Sequence, residues 1–193
     1  MLYLSGKVRP GLPAMVTPRM YQLPPEGVRW AADTGCYARP QDHDDGRYLA
    51  WLERVQEVAG PPLFATAPDR YGDGPATLAL ALPMLPRIRE TGAPAALVAQ
   101  PGTTSRTVPW AAIDALFLGG PDAWKHGEDA YALAQEARAR GLWVHMGRVN
   151  SWSRYELARS FGCHSVDGTV LRFDPSRPVE EWPRRAAARP QLW

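Results

Sequence analysis

The chain has 193 residues, which fits a single domain with one hydrophobic core, and we expect residues 1–193 to form it. Hydrophobic residues make up 45% and charged residues 22% of the chain, a balance that excludes long disorder. A formal net charge of +2 is too small to indicate nucleic-acid binding by itself. No stretch approaches the roughly 20 apolar residues of a transmembrane helix, and two cysteines exclude a disulfide-rich fold, so we expect a cytoplasmic protein without membrane contact.

Eight short apolar segments recur along the chain, each closed by a polar or glycine-containing turn, as is typical of buried parallel strands. The segments are LYLSG from Leu2, AMVTP from Ala14, VRWAADTG from Val28, LFATAPD from Leu63, AALVAQPG from Ala95, ALFLGG from Ala115, LWVHMGR from Leu142 and HSVDGT from His164. Apolar residues at three- and four-residue spacing predict helices over Arg47–Ala59, Gly74–Thr91, Trp124–Arg140 and Ser151–Phe161.

The alternation of strands and helices predicts parallel βαβ units, and eight strands favour a (β/α)8 barrel of the TIM type. The chain is shorter than the roughly 250 residues that are typical of such barrels. We therefore expect a compact α/β barrel in which the connections after strands one, two and five are trimmed. A doubly wound open sheet is the alternative that the sequence leaves open. The segment from Arg177 predicts a short final helix.

Polar residues follow the apolar segments at the strand ends, where an α/β barrel carries its active site. Asp33, Asp69, Gln100 and Asp167 close strands three, four, five and eight, while Gly119–Gly120 end strand six and Met146–Gly147–Arg148 end strand seven. Each residue alone fits a helix cap or a turn. Three carboxylates and a carboxamide at one barrel mouth are costly to desolvate without a bound partner, so together they predict a substrate or cation site.

These segments, in this order, resemble the tRNA-guanine transglycosylase superfamily, whose members exchange guanine for a 7-deazaguanine at an N-glycosidic bond. DTGCY at Asp33–Tyr37 resembles the family's DSGGF/Y segment, and APD, ending at Asp69, resembles FDE. VAQPG around Gln100 is similar to VQGG, and LFLGG, ending at Gly120, is similar to GGL. HMGRVN from His145 resembles LMGVG, and GCHSVDGT from Gly162 resembles GVDMFDCVMPT.

The resemblance implies a role for each matched residue. It makes Asp167 the nucleophile at the sugar C1′ and Asp33 the general acid and base for the departing and incoming bases. The substrate-binding residues that it implies are Tyr37, Asp69, Gln100, Gly119, Gly120, Met146 and Gly147. This set suits a guanine edge, because a carboxylate accepts from N–H groups and amides donate to a carbonyl.

The chain lacks the cysteines of the zinc subdomain that the family's tRNA enzymes carry, and it resembles more closely the compact relatives that insert 7-deazaguanines into DNA. We therefore expect a guanine transglycosylase acting on nucleic acid, DNA in preference to tRNA, with a base such as 7-cyano-7-deazaguanine. Arg70, Lys125, Arg148 and Asn150 lie just beyond strand ends and are predicted phosphate contacts.

Other interpretations stay open. The modest charge favours an N-glycosidase or base-exchange enzyme acting on a free purine or deazapurine nucleoside or nucleotide. A non-catalytic partner subunit could keep the barrel, although retention of both Asp33 and Asp167 argues against it. Carboxylates at a barrel mouth could hold Mg²⁺, but the four histidines lack metal-ligand spacing, so we expect neither metal nor cofactor.

Three smaller questions concern single residues and assembly. His145 alternates with Met146 and is interpreted as a packed or surface residue, and Cys36 is interpreted as structural. A disulfide between Cys36 and Cys163 is not excluded by the sequence. The oligomeric state is open, with a homo-oligomer as one expectation, because a trimmed barrel leaves strands exposed.

Overall fold

The computed structural model describes residues 1–9, 11–36, 43–174, 176 and 178–188. Eight parallel strands follow one another around a closed barrel, and the last pairs with the first. They are β1 Leu2–Ser5, β2 Ala14–Val16, β3 Trp30–Ala32, β4 Ala65–Thr66, β5 Ala95–Ala99, β6 Ala115–Leu118, β7 Trp143–Met146 and β8 Ser165–Gly168. Each predicted segment contains one strand, so the TIM-type barrel is confirmed and the open sheet is excluded.

Seven α-helices lie among the described residues: α1 Asp45–Ala59, α2 Gly74–Glu90, α3 Asp122–Lys125, α4 Glu128–Ala139, α5 Trp152–Ser160, α6 Val170–Phe173 and α7 Trp182–Ala187. The prediction of one helix over Trp124–Arg140 is wrong, because Gly127 adopts an extended backbone and separates α3 from α4. The described connections after β1, β2 and β5 contain no α-helix, which confirms the trimmed crossovers. Helix α7 confirms the short final helix.

Local signals in the sequence set the helix ends. The side chains of Asp44, Asp73 and Ser151 each accept a hydrogen bond from the backbone N–H three residues further on, and so begin α1, α2 and α5. Gly60 ends α1 with a φ of 75°, a conformation that a residue with a side chain rarely adopts. Helices α1, α2 and α5 therefore start where side-chain capping places them, and α1 ends at a glycine.

Strand alternation divides the buried side chains into two cores. The inner core fills the barrel and consists of Leu4, Met15, Ala31, Phe64, Ala96, Val98, Ala115 and Phe117. The outer core lies between the strands and the helices and includes Leu97, Leu116, Val144, Met146 and Val166. Each strand end thus carries one residue toward the barrel interior and the next toward the helices.

Cys36 and Cys163 are both buried and form no disulfide. Burial raises the pKa of each thiol to about 12, so both stay protonated at neutral pH. Within the described part of the chain, no helix combines the length and the apolar character that crossing a bilayer requires.

Helix α2 provides a matched pair of leucines for testing the outer core. Leu85 is completely buried, whereas Leu82 is 48% exposed. We expect Leu85→Ala to lower the free energy of unfolding by about 2–5 kcal/mol, because it leaves a cavity. Leu82→Ala, the control, should change it by less than about 0.5 kcal/mol. Urea unfolding followed by circular dichroism measures both, and equal losses would contradict the assigned helix faces.

Candidate active site

The carboxyl ends of strands β3 to β8 surround a cavity of about 110 Å³. Its lining residues are Asp33, Thr66, Asp69, Tyr71, Val98, Gln100, Phe117, Gly119, Gly120, Lys125, Gly147, Arg148 and Asp167. The structure therefore brings both predicted catalytic carboxylates together with most of the predicted base pocket. Thr66, Tyr71, Val98 and Phe117 were not expected from the sequence, since strand-end polarity gives no signal for them.

Asp167 lies in β8 and points toward the cavity, with 16% of its side chain exposed. Its Oδ1 lies within hydrogen-bond distance of His145 Nε2, at 3.0 Å, and accepts a hydrogen bond from the backbone N–H of Arg148 at 3.3 Å. Within the described part of the chain, no group donates to Oδ2. One carboxylate oxygen is therefore held by the protein, and the other is available to a substrate.

His145 is completely buried beside Asp167, in contact with Phe117 at a ring-centroid distance of 4.4 Å. Its Nδ1 lies 2.8 Å from Ser165 Oγ, which also accepts a hydrogen bond from Trp143 Nε1 at 2.8 Å. Burial lowers the pKa of His145, although Asp167 opposes the shift, so the imidazole is neutral at neutral pH. The sequence interpretation, a packed or surface residue, left the two positions open and missed the contact of His145 with the predicted nucleophile.

Lys125 is completely buried at the edge of the cavity. Its Nζ donates to the Gly147 carbonyl oxygen at 2.7 Å and lies 3.2 Å from Asp122 Oδ1. Burial lowers the pKa of this ammonium group, and Asp122 opposes the shift. Lys125 thus lines the cavity with two of its three N–H groups directed to oxygens of the protein, and its role as a phosphate contact stays a prediction.

Asp33 follows β3 and has one oxygen held by the protein, with Oδ1 accepting the Gly35 backbone N–H at 2.8 Å. Burial raises the pKa of Asp33 from 3.8 to about 6, and the charges of Asp69 and Asp167 add to this increase. The Gly35 hydrogen bond opposes the increase. Asp33 is therefore a carboxyl group that gains and loses a proton near neutral pH, as an acid–base group must.

Both carboxylate oxygens of Asp69 accept hydrogen bonds from neighbouring side chains. Its Oδ2 accepts a hydrogen bond from Gln100 Nε2 at 2.6 Å, and its Oδ1 accepts one from the Cys36 thiol at 3.2 Å. The Gln100 Oε1 accepts the Gly72 backbone N–H at 3.0 Å, which fixes the orientation of the carboxamide. Burial raises the pKa of Asp69, and the hydrogen bonds from Cys36 and Gln100 oppose it. Cys36 is thus structural in a specific sense, since it positions this carboxylate.

Two glycines are required by the closeness of neighbouring side chains to the backbone. A Cβ atom on Gly119 would lie 2.7 Å from Val98 Cγ1 and 2.8 Å from Gln100 Nε2. A Cβ atom on Gly147 would lie 2.7 Å from Phe117 Cε1 and 3.3 Å from Asp167 Oδ1. The cavity therefore exists because these two strand ends have no side chain.

Arg148 is the only non-glycine residue with a positive φ, 58°, within the described ranges. Its guanidinium carbon lies 5.2 Å from the centre of the Tyr71 ring, and Nη2 donates to the Gly120 carbonyl oxygen. A side chain in this backbone region is strained, and such strain concentrates at functional sites. Arg148 lies at the edge of the cavity, in agreement with its predicted position at the end of a strand.

Two predicted members of the base pocket are not found in the lining. Met146 is completely buried in the outer core and faces the helices, because strand alternation turns it away when His145 points inward. Its expected contact with a base is therefore contradicted. Tyr37, predicted to stack on the base, lies outside the described residues.

Two predicted phosphate contacts also lie away from the cavity. Asn150 Oδ1 accepts hydrogen bonds from the backbone N–H groups of Thr169 and Val170, at 2.7 and 3.1 Å, and so fixes the start of α6. The structure therefore uses the Asn150 carboxamide oxygen at α6 and does not place Asn150 in the cavity lining. Arg70 is exposed but is not among the lining residues.

The acidic residues of the cavity do not form a metal-binding group. Among the residues that the structure describes, no three His, Cys, Asp or Glu side chains are placed to share an ion. Asp33, Asp69 and Asp167 instead each accept hydrogen bonds from protein donors. Among the described residues, this arrangement therefore offers no group of ligands for the alternative of a Mg²⁺ site at the barrel mouth.

No protein-family model matches the sequence, and no curated protein matches it. One similar solved structure is the YkuI protein of Bacillus subtilis, which has an EAL domain, in complex with substrate c-di-GMP and calcium. It matches with a TM-score of 0.47 and 14% sequence identity, and the match covers 83% of this chain and 45% of YkuI. Another is L-talarate dehydratase from Polaromonas sp. JS666 with Mg and L-glucarate, with a TM-score of 0.43 and 16% identity over 86% of this chain and 46% of that one. The chain thus spans less than half the length of either, and neither similarity bears on the chemistry of the site.

The raised pKa of Asp33 predicts a pH-dependent effect of Asp33→Asn on stability. Because the folded protein holds this proton more tightly than the unfolded chain, the contribution of Asp33 is fully present below about pH 4 and is lost as the pH rises through about 6. The variant keeps an acceptor for Gly35 but no charge, so it should gain stability relative to wild type from about pH 4 to about pH 7. Urea unfolding at several pH values measures the difference.

Asp129→Asn is the control, because Asp129 is exposed on α4. Its difference from wild type should show no comparable rise over that interval. A constant difference for Asp33→Asn would show that the pKa of Asp33 is not raised.

Proposed function

We propose that this protein is an enzyme, a transglycosylase that exchanges guanine for a 7-deazaguanine base through a covalent ester between a sugar C1′ and Asp167. The observation that carries the proposal is the pair of unlike carboxyl groups in one cavity. Asp167 has one oxygen held and one available, and Asp33 has a pKa raised to about 6. Carboxyl groups in different environments can divide the work of nucleophile and acid–base group.

In the first half-reaction, a lone pair of Asp167 forms a bond to C1′ while the bond from C1′ to guanine breaks and its electron pair stays on the base. Protonated Asp33 donates its proton to the departing guanine and becomes a carboxylate. In the second, the incoming base loses an N–H proton to Asp33 and attacks C1′. The ester bond then breaks, and Asp167 returns to a carboxylate, so the exchange balances without a cofactor.

The remaining cavity groups suit the edge and the face of guanine. Asp69 can accept from the base N–H groups, and its two protein donors hold it in place beforehand. The Gly120 N–H makes no hydrogen bond within the described part of the chain and can donate to a base carbonyl. Tyr71, which is 43% exposed, provides a flat wall at the cavity edge for stacking.

Two classes of substrate could carry the sugar, and they differ in charge. Nucleic acid, DNA in preference to tRNA, follows from the resemblance, and two of the predicted phosphate contacts, Lys125 and Arg148, line the cavity. A free nucleoside or nucleotide is the second candidate, favoured by the net charge of +2. Substrate affinity that falls steeply with added salt indicates a nucleic acid, because each neutralised phosphate releases counterions.

Removal of the nucleophile tests the reaction directly. We expect the wild-type protein to incorporate labelled guanine or 7-cyano-7-deazaguanine into DNA and to form a covalent adduct detectable by mass spectrometry. Asp167→Asn should lose both by at least about 10³-fold, because the amide cannot form the ester. Asp129→Asn, a surface control on α4, should retain both. If wild type incorporates neither base into DNA or tRNA and forms no adduct, the proposed function is wrong.

Protonation of Asp33 predicts the pH profile. The rate of guanine release in a single turnover should fall as the pH rises through about 6, since the acid must be protonated to assist the leaving base. Asp33→Asn should slow release by about 10²–10⁴-fold and remove this limb of the profile. An unchanged profile in the variant would assign the acid to another group.

A further inference from the structure

We propose that Asp167 reacts through Oδ2 alone, and that a one-way chain of hydrogen bonds, from Trp143 through Ser165 to His145, holds Oδ1. The backbone N–H of Arg148, on a peptide group bound by Lys125, is the second donor to Oδ1. The catalytic consequence rests on the proposed function, whereas the hydrogen-bond chain is a property of the protein without substrate. His145 is a positioning residue in this scheme, since it acts through Asp167.

The groups that can donate are consistent with a chain of hydrogen bonds that runs from Trp143 to Asp167. The Trp143 indole nitrogen can only donate, and it donates to Ser165 Oγ at 2.8 Å. Ser165 therefore has its own hydroxyl hydrogen left for the 2.8 Å contact with His145 Nδ1. A neutral imidazole that accepts at Nδ1 carries its hydrogen on Nε2, which lies 3.0 Å from Asp167 Oδ1. In this arrangement each of the three donor groups has an acceptor, and the series of hydrogen bonds ends on the ionised carboxylate of Asp167.

The opposite arrangement is physically distinct. If His145 carried its hydrogen on Nδ1, the Nε2 lone pair would face Asp167, and Asp167 would need a proton to donate to it. A protonated Asp167 is a poor nucleophile, and the N–H of Arg148 also approaches the same oxygen as a donor. The two arrangements therefore differ in which imidazole nitrogen carries the hydrogen and in the charge of Asp167.

Lys125 supports the second donor. Its Nζ donates to the Gly147 carbonyl oxygen, and that carbonyl shares a peptide group with the N–H of Arg148. A hydrogen bond to one end of a peptide group polarises it and strengthens donation at the other end. The strained φ of Arg148, 58°, belongs to the residue whose N–H reaches Asp167. The strain is thus located at the point where the backbone turns to reach the carboxylate.

Two donors on one oxygen assign different tasks to the two oxygens of Asp167. Oδ1 becomes the carbonyl oxygen of the ester and keeps its donors throughout, while Oδ2 forms and later breaks the bond to C1′. Fixing Oδ1 aims Oδ2 at the sugar in the first half-reaction. In the second, the same donors stabilise the negative charge that returns to the carboxylate.

Nitrogen NMR of the substrate-free full chain, with ¹⁵N-labelled histidine, tests the chain of hydrogen bonds. We expect His145 to be neutral, with hydrogen on Nε2 and none on Nδ1, and its signal to be identified by its loss in His145→Gln. Ser165→Ala should shift the Nδ1 signal, because it removes the hydroxyl donor, whereas Ser153→Ala, at an exposed serine of α5, should leave it unchanged. If His145→Gln does not fold, loss of the signal in His145→Asn identifies it instead.

A His145 that carries hydrogen on Nδ1, or on both nitrogens, at neutral pH overturns the proposal. So does a Nδ1 signal that is unaffected by Ser165→Ala. Because these spectra need no substrate, they decide the hydrogen-bond chain even if no base exchange is found.

A pair of variants tests the catalytic consequence. Glutamine can place an amide N–H near the position of the histidine Nε2, whereas asparagine is too short to reach Asp167. We expect His145→Asn to slow adduct formation by roughly 10²-fold and His145→Gln to slow it much less. Equal losses in the two variants, or no loss in either, would exclude a positioning role for His145. A wild-type protein without base exchange, but with the expected spectra, would reject the proposed function and leave the hydrogen-bond chain established.

Discussion

Three carboxyl groups lie around one small cavity, and the cost of burying them together shapes everything near it. The hydrogen bonds that offset this desolvation differ among the three carboxyl groups. Asp69 receives two uncharged donors, and Asp167 receives a histidine and a backbone N–H on a single oxygen. Asp33 has one strong backbone donor, and its pKa rises to about 6. Because the three carboxyl groups receive different hydrogen-bond donors, they can take different chemical roles, whereas three carboxyl groups in identical surroundings could not.

The trimming of the barrel leaves the site intact. Strands β1 and β2, whose described connections contain no α-helix, contribute none of the lining residues, and the cavity is built from β3 to β8. Their task is to complete the ring of hydrogen bonds and to fill the inner core through Leu4 and Met15. A chain of 193 residues can therefore keep a barrel and concentrate its functional groups on one side of the mouth.

Features fixed by local patterns could be predicted from the sequence. Apolar segments with a polar end located all eight strands, and with them the positions of Asp33, Gln100 and Asp167. Which residues of a short strand face the barrel interior could not be predicted in the same way. The family resemblance assigned Met146 to the pocket, which turned the alternating His145 away from it; in the structure His145 faces Asp167 and Met146 lies in the outer core.

The position of Asp167 ties the site to the closure of the barrel. Its strand is the final one in the chain, yet it pairs with the first, and Asp167 lies opposite Leu4 in that register. Contacts between the two ends of a chain form slowly, because a long loop must close before they stabilise the protein. A barrel that opened between β8 and β1 would lose the alignment of Asp167, so closure of the ring and geometry of the site depend on the same contacts.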